Sequence, residues 1–212
     1  MSENKKPTIG FIGQGYVGKN YADSFEERGF PVVRYSNERS YRENKAAIKD
    51  CDLVFVAVPT PTTPQGFDDS ILREVLGVVG KGKIAVIKST ILPGTTEALQ
   101  KDHPDIFVLN SPEFLSERTV RYDIDHPDSN VIGIPIDNAE YREKAAFFAK
   151  LLPDAPTIIT TSKTAELIKY SHNIHGFVEI VYANLLYDLA EKLGVEWQSV
   201  KEFMGYNRFM TD

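Results

Sequence analysis

The chain has 212 residues, of which 42% are hydrophobic and 25% charged, enough apolar material to fill a core behind an ordinary polar surface. Its formal net charge of −6, with no basic block anywhere, argues against a nucleic-acid partner or an anionic membrane surface. The single cysteine, Cys51, excludes an internal disulfide and fits a reducing, cytoplasmic setting. Met1–Lys6 is polar with no apolar stretch behind it, so no secretory signal is expected. No apolar run approaches the roughly 20 residues of a membrane span.

The first three-quarters of the chain alternates short apolar runs with amphipathic patterns. In chain order the expected strands are Thr8–Gly13, Pro31–Tyr35, Leu53–Val58, Ile84–Lys88, Ile106–Leu109, Val131–Ile134 and Thr157–Thr160. Most are apolar throughout, as strands covered on both faces of a parallel sheet must be. Helical patterns fall between them at Val17–Arg28, Ser40–Lys49, Asp69–Val79, Thr95–Lys101 and Ala139–Leu151. This alternation predicts an α/β fold, Rossmann-like and doubly wound around a mostly parallel sheet. From Ser162 to about Leu193 the pattern changes to one long proline-free helix, with Gly194 placed to cap it. The expected division is a Rossmann NAD(P)-binding domain over 1–161 and a helical central segment over 162–212. Ile174, Val178, Val181, Leu185 and Leu189 form an apolar stripe on that helix. So little chain follows that a second copy is expected to cover the stripe, making a homodimer.

The stretch TIGFIGQGYVGKN, Thr8 to Asn20, runs from a strand through three glycines into a helix. Gly13 suits the tight turn, Gly15 the approach of a pyrophosphate to the backbone, and Gly18 the packing of helix on strand. The phosphates would rest on amides near Tyr16 and Val17, where the helix dipole favours negative charge. At the end of the second strand, where an acidic residue would hold the adenine ribose, stands Ser36, with Arg34, Asn37 and Arg39 around it. Small polar residues beside arginine leave room for a 2′-phosphate, so NADP stays open beside NAD. The same arginines read equally well as solvated surface charges.

Four further segments complete a specific pattern: VAVPTPT (Val56–Thr62), KSTILPGTT (Lys88–Thr96), SPEFLSE (Ser111–Glu117) and AELIKYSHN (Ala165–Asn173). In this order and spacing, with the glycine turn, the chain resembles the nucleotide-sugar 6-dehydrogenases, the UDP-glucose and GDP-mannose dehydrogenases. The resemblance implies NAD-dependent oxidation of the primary alcohol of a nucleotide sugar to a carboxylate, through an aldehyde and a cysteine thioester. It implies that Lys169 and Asn173 polarise the oxygen at the reacting carbon, a donor pair of the kind that stabilises a developing alkoxide. Glu113 would assist the hydrolytic water and Thr90 would hold it, while Glu117 would lie near the nicotinamide end. Pro59, Thr60, Thr62 and Ser89 would line the cofactor channel at the carboxyl ends of the strands, where open α/β sheets bind ligands.

The pattern also breaks. The family's nucleophilic cysteine lies beyond the long helix, before a second domain for the nucleotide sugar, and Asp212 falls about where that segment should begin. The expectation is therefore a short form or fragment that alone is inactive or limited to two-electron oxidation. Cys51, just before a buried strand, is expected to be a structural thiol. Ser129 and Leu185 replace an arginine and an acidic residue common in the family. His172 and His175 lack the companions of a metal site, so no metal is expected. Two other readings stand beside the leading one: a β-hydroxyacid dehydrogenase-like enzyme making a single hydride transfer, and a non-catalytic NAD(P)-binding protein.

Overall fold

The computed structural model describes residues 6–206. The chain divides into two compact units, the first ending at Lys169 and the second beginning at Tyr170. The first unit is the α/β sheet. In chain order it contains β1 (Ile9–Ile12), α1 (Tyr16–Glu27), β2 (Val32–Tyr35), a 3-10 stretch (Arg42–Asp50) and β3 (Leu53–Val56). A small hairpin of β4 (Thr62–Thr63) and β5 (Gly66–Phe67) leads to α2 (Ser70–Leu76), β6 (Ile84–Ile87), α3 (Thr95–Asp102) and β7 (Phe107–Asn110). Then come α4 (Val120–Asp125), β8 (Asn130–Ile134), α5 (Ala139–Ala149) and β9 (Thr157–Thr161), and the chain enters α6 (Ser162–Leu193).

Seven strands form one sheet in the order β2-β1-β3-β6-β7-β8-β9. Every neighbouring pair is parallel except β7 and β8, which meet antiparallel at Asn110 and Gly133. The central strands β1, β3 and β6 are buried at every residue, whereas β2 and β9 at the two edges are half-exposed. Continuous apolar runs thus mark the strands covered on both faces.

Period-two alternation sends side chains into two separate cores. Phe11, Leu53 and Phe55 point into one with Phe25 and Phe148, while Ile12, Val54 and Val56 enter the other with Leu72, Leu76 and Leu99. The first core centres on aromatic rings: Phe55 stacks on Phe11 at 4.8 Å and meets Phe25 edge-on at 5.2 Å. Such pairs each add about 1 kcal/mol beyond the area they bury.

One expectation shifts, and two elements appear that the sequence did not mark. The helix predicted over Ser40–Lys49 is a 3-10 stretch, Arg42–Asp50, because Ile48 is its only buried residue and no apolar stripe holds an α-helical turn against the sheet. The short helix α4 and the β4–β5 hairpin carry too few apolar residues to show periodicity.

The first turns of α6 are fastened to the sheet. A Cβ on Gly133 would lie 2.7 Å from the Ala165 Cβ and 2.8 Å from the Ser162 Cα, so glycine is what lets the helix touch β8. Glu166, 1% exposed, accepts hydrogen bonds from the Gly94 and Thr96 amides at 2.5 and 2.8 Å and from the Thr96 hydroxyl at 2.6 Å. A side chain of α6 therefore caps the start of α3. Lys163 adds an ion pair with Glu97 at 2.8 Å.

The second unit holds the rest of α6 and α7 (Trp197–Tyr206). Gly194, at φ 66°, ends α6, and the Val195 amide bonds back to the Ala190 carbonyl. Tyr187 meets Trp197 edge-on at 5.5 Å. Ile174, Phe177, Val178, Ile180, Leu185 and Leu189 are all at least half-exposed within this unit. Among the described residues no helix is long and apolar enough to cross a membrane.

Candidate functional site

The glycine turn between β1 and α1 opens a cleft at the carboxyl ends of the strands. Gly13 adopts φ +91°, and a Cβ there would lie 2.1 Å from the Ala57 carbonyl oxygen, so both conformation and space require glycine. A Cβ on Gly18 would lie 2.0 Å from the Gly13 carbonyl oxygen, which places this glycine beneath the turn. Gly15 is different: a Cβ there meets nothing within 4 Å. It stands at the N-terminus of α1, which has no side-chain cap and no acidic residue in its first turn. The leading amides of α1 are thus left for an anion, with open space in front of them.

The cleft encloses about 580 Å³ and is lined by Gly13, Gln14, Gly15, Tyr16 and Val17 from the turn and by Tyr35, Ser36, Asn37 and Glu38 after β2. Pro59 and Thr60 line it after β3, Lys88, Ser89 and Thr90 after β6, and Glu113 after β7. Gly18, Arg39, Thr62 and Glu117 do not form its wall. Arg39 and Glu117 are exposed, and Thr62 belongs to the hairpin. Tyr16 donates to the Ser116 carbonyl at 2.9 Å and so crosses to the loop that carries Glu113 and Glu117. Burial, then the carboxylates of Glu117, Asp123 and Glu113, push its phenol up.

Two hydroxyls of the lining are spent on the backbone. Ser89 Oγ donates to the Val58 carbonyl at 2.7 Å and accepts from the Val58 amide at 3.0 Å, and Thr60 Oγ1 donates to the Thr90 carbonyl at 2.7 Å. These bonds tie the loops after β3 and β6 together and fix where Thr90 stands.

At the far end of the cleft Lys169 Nζ pairs with Glu113 Oε1 at 2.8 Å, and both side chains are largely buried, 9% and 14% exposed. Glu113 Oε2 also accepts from the Leu115 amide at 2.9 Å. Lys169 stands one turn after Glu166, so the clamp on α3 and the ion pair share one stretch of helix. Asn173, exposed, belongs to the second unit.

Three residues of the cleft are not marked by the sequence pattern. Glu38 lies on the rim two residues past Ser36, so the end of β2 does present a carboxylate, displaced from the expected position. Gln14 is 8% exposed and bonds to the Gly13 carbonyl at 3.0 Å inside the turn. Lys88, 5% exposed, donates to Ser111 Oγ at 3.1 Å and sits 4.6 Å from the Tyr21 ring centroid. Burial pushes its ammonium down to about 7, against the pull of nearby Glu113 and with help from Lys169. Lys88 opens the KSTILPGTT segment, but nothing in that run of residues marks a lysine as buried.

Of the two arginines in question, Arg39 is exposed, whereas Arg34 is drawn inward. Its guanidinium is paired with Asp23 at 2.6 Å and Glu26 at 2.8 Å, and its side chain is 12% exposed. It is an internal strut between β2 and α1. Among the described residues no three metal-ligating side chains converge.

The mostly parallel sheet, the glycine turn at its carboxyl edge and the uncapped helix behind that turn define a dinucleotide-binding α/β protein. The family model described as the UDP-glucose/GDP-mannose dehydrogenase family, NAD binding domain, matches residues 34–151, and the central-domain model of the same family matches 163–212. The chain belongs to this family. It is 32% identical over 198 residues to the UDP-glucose 6-dehydrogenase of Rhizobium meliloti, covering 84% of this chain and 45% of the relative. It is 30% identical over 176 residues to the GDP-mannose 6-dehydrogenase of Pseudomonas aeruginosa, covering 74% of this chain and 40% of the relative. A UDP-glucose dehydrogenase structure from Pyrobaculum islandicum superposes with a TM-score of 0.83 at 27% identity, over 98% of this chain and 59% of that one. The chain thus spans about half the length of the relatives it matches.

Proposed function

We propose that the cleft binds NAD and that the protein oxidises the primary alcohol of a nucleotide sugar. The observation that carries this reading is the buried Lys169–Glu113 pair at the end of a cleft whose other end is the glycine turn. The amides beside Gly15 and Tyr16 would hold the pyrophosphate, and the rim after β2, with Ser36 and Glu38, the adenosine ribose. Bound NAD supplies the hydride acceptor. Lys169 and Asn173 would polarise the reacting oxygen, where positioned donors lower the barrier by stabilising developing negative charge. Glu113 and Thr90 would hold and activate water. NAD is favoured over NADP because Arg34 already has two carboxylate partners.

Cys51 supports no covalent step. It is fully buried beside Gly10, before β3 and so at the amino end of the sheet, and burial pushes its thiol up to about 11. The residues in the cleft support the two-electron stage, alcohol to aldehyde. The apolar face of α6 supports a homodimer in which a second copy covers it, and the buried thiol fits a cytoplasmic setting.

The test is NADH formation with UDP-glucose, GDP-mannose and UDP-N-acetylmannosamine, with product analysis. Aldehyde formation lost in Lys169→Ala supports the reading. Uronic acid that still forms after Cys51→Ser shows that a nucleophile other than Cys51 completes the oxidation. A chain that binds no NADH overturns it. Light scattering that finds a stable monomer at micromolar concentration overturns the dimer.

A further inference from the structure

Lys88 has no role in the oxidation as proposed. It is a buried amine on the wall of the cleft, and among the described residues its one hydrogen bond is to Ser111 Oγ. An ammonium has three N–H bonds to satisfy. The rings of Tyr21 and Phe55 lie 4.6 and 6.0 Å from its nitrogen. The charged groups that act on it are Glu113, on the loop after β7, and Lys169, on α6. Those two already neutralise each other at 2.8 Å. A protonated Lys88 is therefore the charge of the cluster without a carboxylate of its own, held over two ring faces that offset its burial only in part, in a place where water does little to screen it.

An oxidised nicotinamide brings a second positive charge into this cleft, and a reduced one brings none. Resting on the cofactor reading, we propose that Lys88 is the redox-linked proton acceptor of the site: it gives up its proton when the oxidised dinucleotide binds and holds one when the ring is reduced. As the alcohol carbon yields its hydride to the dinucleotide, the O–H bond breaks and an N–H bond forms on the Lys88 amine. Two electrons leave with the hydride and the hydroxyl proton stays on the protein. One amine thus admits the cationic cofactor and receives the proton that its reduction leaves behind. Because burial brings Lys88 to about 7, both forms are accessible near neutrality.

The test is proton exchange on binding, measured by calorimetry at pH 7 in two buffers of different ionisation enthalpy. Binding of NAD⁺ should release roughly half a proton and binding of NADH almost none, as linkage requires for a group near its midpoint. Lys88→Met should abolish the release. The same titration is followed without substitution by the resonances of ¹³Cε-labelled lysine. One buried lysine should show a midpoint near neutrality that moves down with NAD⁺ relative to NADH. Equal proton release for the two dinucleotides, or release that persists in Lys88→Met, overturns the proposal while leaving the cofactor site in place. If the unsubstituted protein binds neither dinucleotide, the cofactor reading falls and this proposal with it.

Discussion

Substituting Gly15 with valine should abolish tight dinucleotide binding while leaving the fold intact. At φ −72° and ψ −166° the residue is in an extended region open to any L-amino acid, and an added Cβ meets nothing within 4 Å. Without protein contacts to disturb, stability should stay within about 0.5 kcal/mol of the parent. The side chain would instead fill the space in front of the α1 amides. Forcing extra methyl groups into such a contact costs about 1–3 kcal/mol, or roughly 5- to 150-fold in affinity. Gly18→Ala is the opposite case. Its Cβ would lie 2.0 Å from the Gly13 carbonyl oxygen and 3.4 Å from Ala57 Cβ, a clash with backbone that costs about 3 kcal/mol of stability. Urea unfolding and NADH fluorescence titration on both variants separate the two effects. A folded Gly15→Val protein with unchanged NADH affinity would refute the pyrophosphate assignment, and so would one destabilised as much as Gly18→Ala.

Arg34→Met should cost about 1 kcal/mol by removing the bonds to Asp23 and Glu26, with the preference between NADH and NADPH unchanged in direct titration; a selective loss of NADPH affinity would show a guanidinium free for phosphate. Burial pushes the Asp23 carboxyl up, but hydrogen bonds from Lys19 and Arg34 outweigh it and leave it below the usual range. That contribution is present above the unfolded value of about 3.9 and lost as pH falls through the folded one, so urea midpoints below pH 4 should decline less steeply in Arg34→Met. Glu166→Ala should cost about 3 kcal/mol, since three hydrogen bonds from α3 lose their acceptor, and Glu166→Gln should cost less. Burial, opposed by those bonds, still pushes the Glu166 carboxyl up, so its contribution favours the fold at low pH and is lost as pH rises through the folded value, above about 4.3; a stability profile flat over that range would contradict it. Cys51, with its thiol near 11, should resist a disulfide reagent at pH 8 until the protein is unfolded, and rapid modification of the native protein would disprove its burial.

Sheet and glycine turn were legible in the sequence because each rests on local physics. All seven strands of the main sheet appear within a few residues of the predicted runs, since strands buried on both faces must be apolar throughout. The fixed spacing of Gly13, Gly15 and Gly18 likewise encodes a turn that each glycine serves differently. What stayed hidden depends on contacts distant in the chain. For Arg34 the sequence left a 2′-phosphate contact and a solvated charge equally open, because its partners Asp23 and Glu26 lie on the preceding helix. The Lys88 environment is assembled from Tyr21, Phe55 and Ser111 on three other segments, and no spacing rule gathers those residues. Ser89 and Thr60 were in recognisable segments, yet their hydroxyls serve the backbone of neighbouring loops.

Because Glu166 reaches from α6 to the start of α3, two main-chain amides far from it in sequence, Gly94 and Thr96, donate their hydrogen bonds to a side chain. Their protons are shielded from solvent only while the beginning of α6 stays docked. In native-state hydrogen exchange this pair should open with the release of that helical turn and at lower free energy than the amides of β3 or β6. Deuterium uptake at these two positions therefore supplies a local clock for undocking, readable while the sheet remains closed.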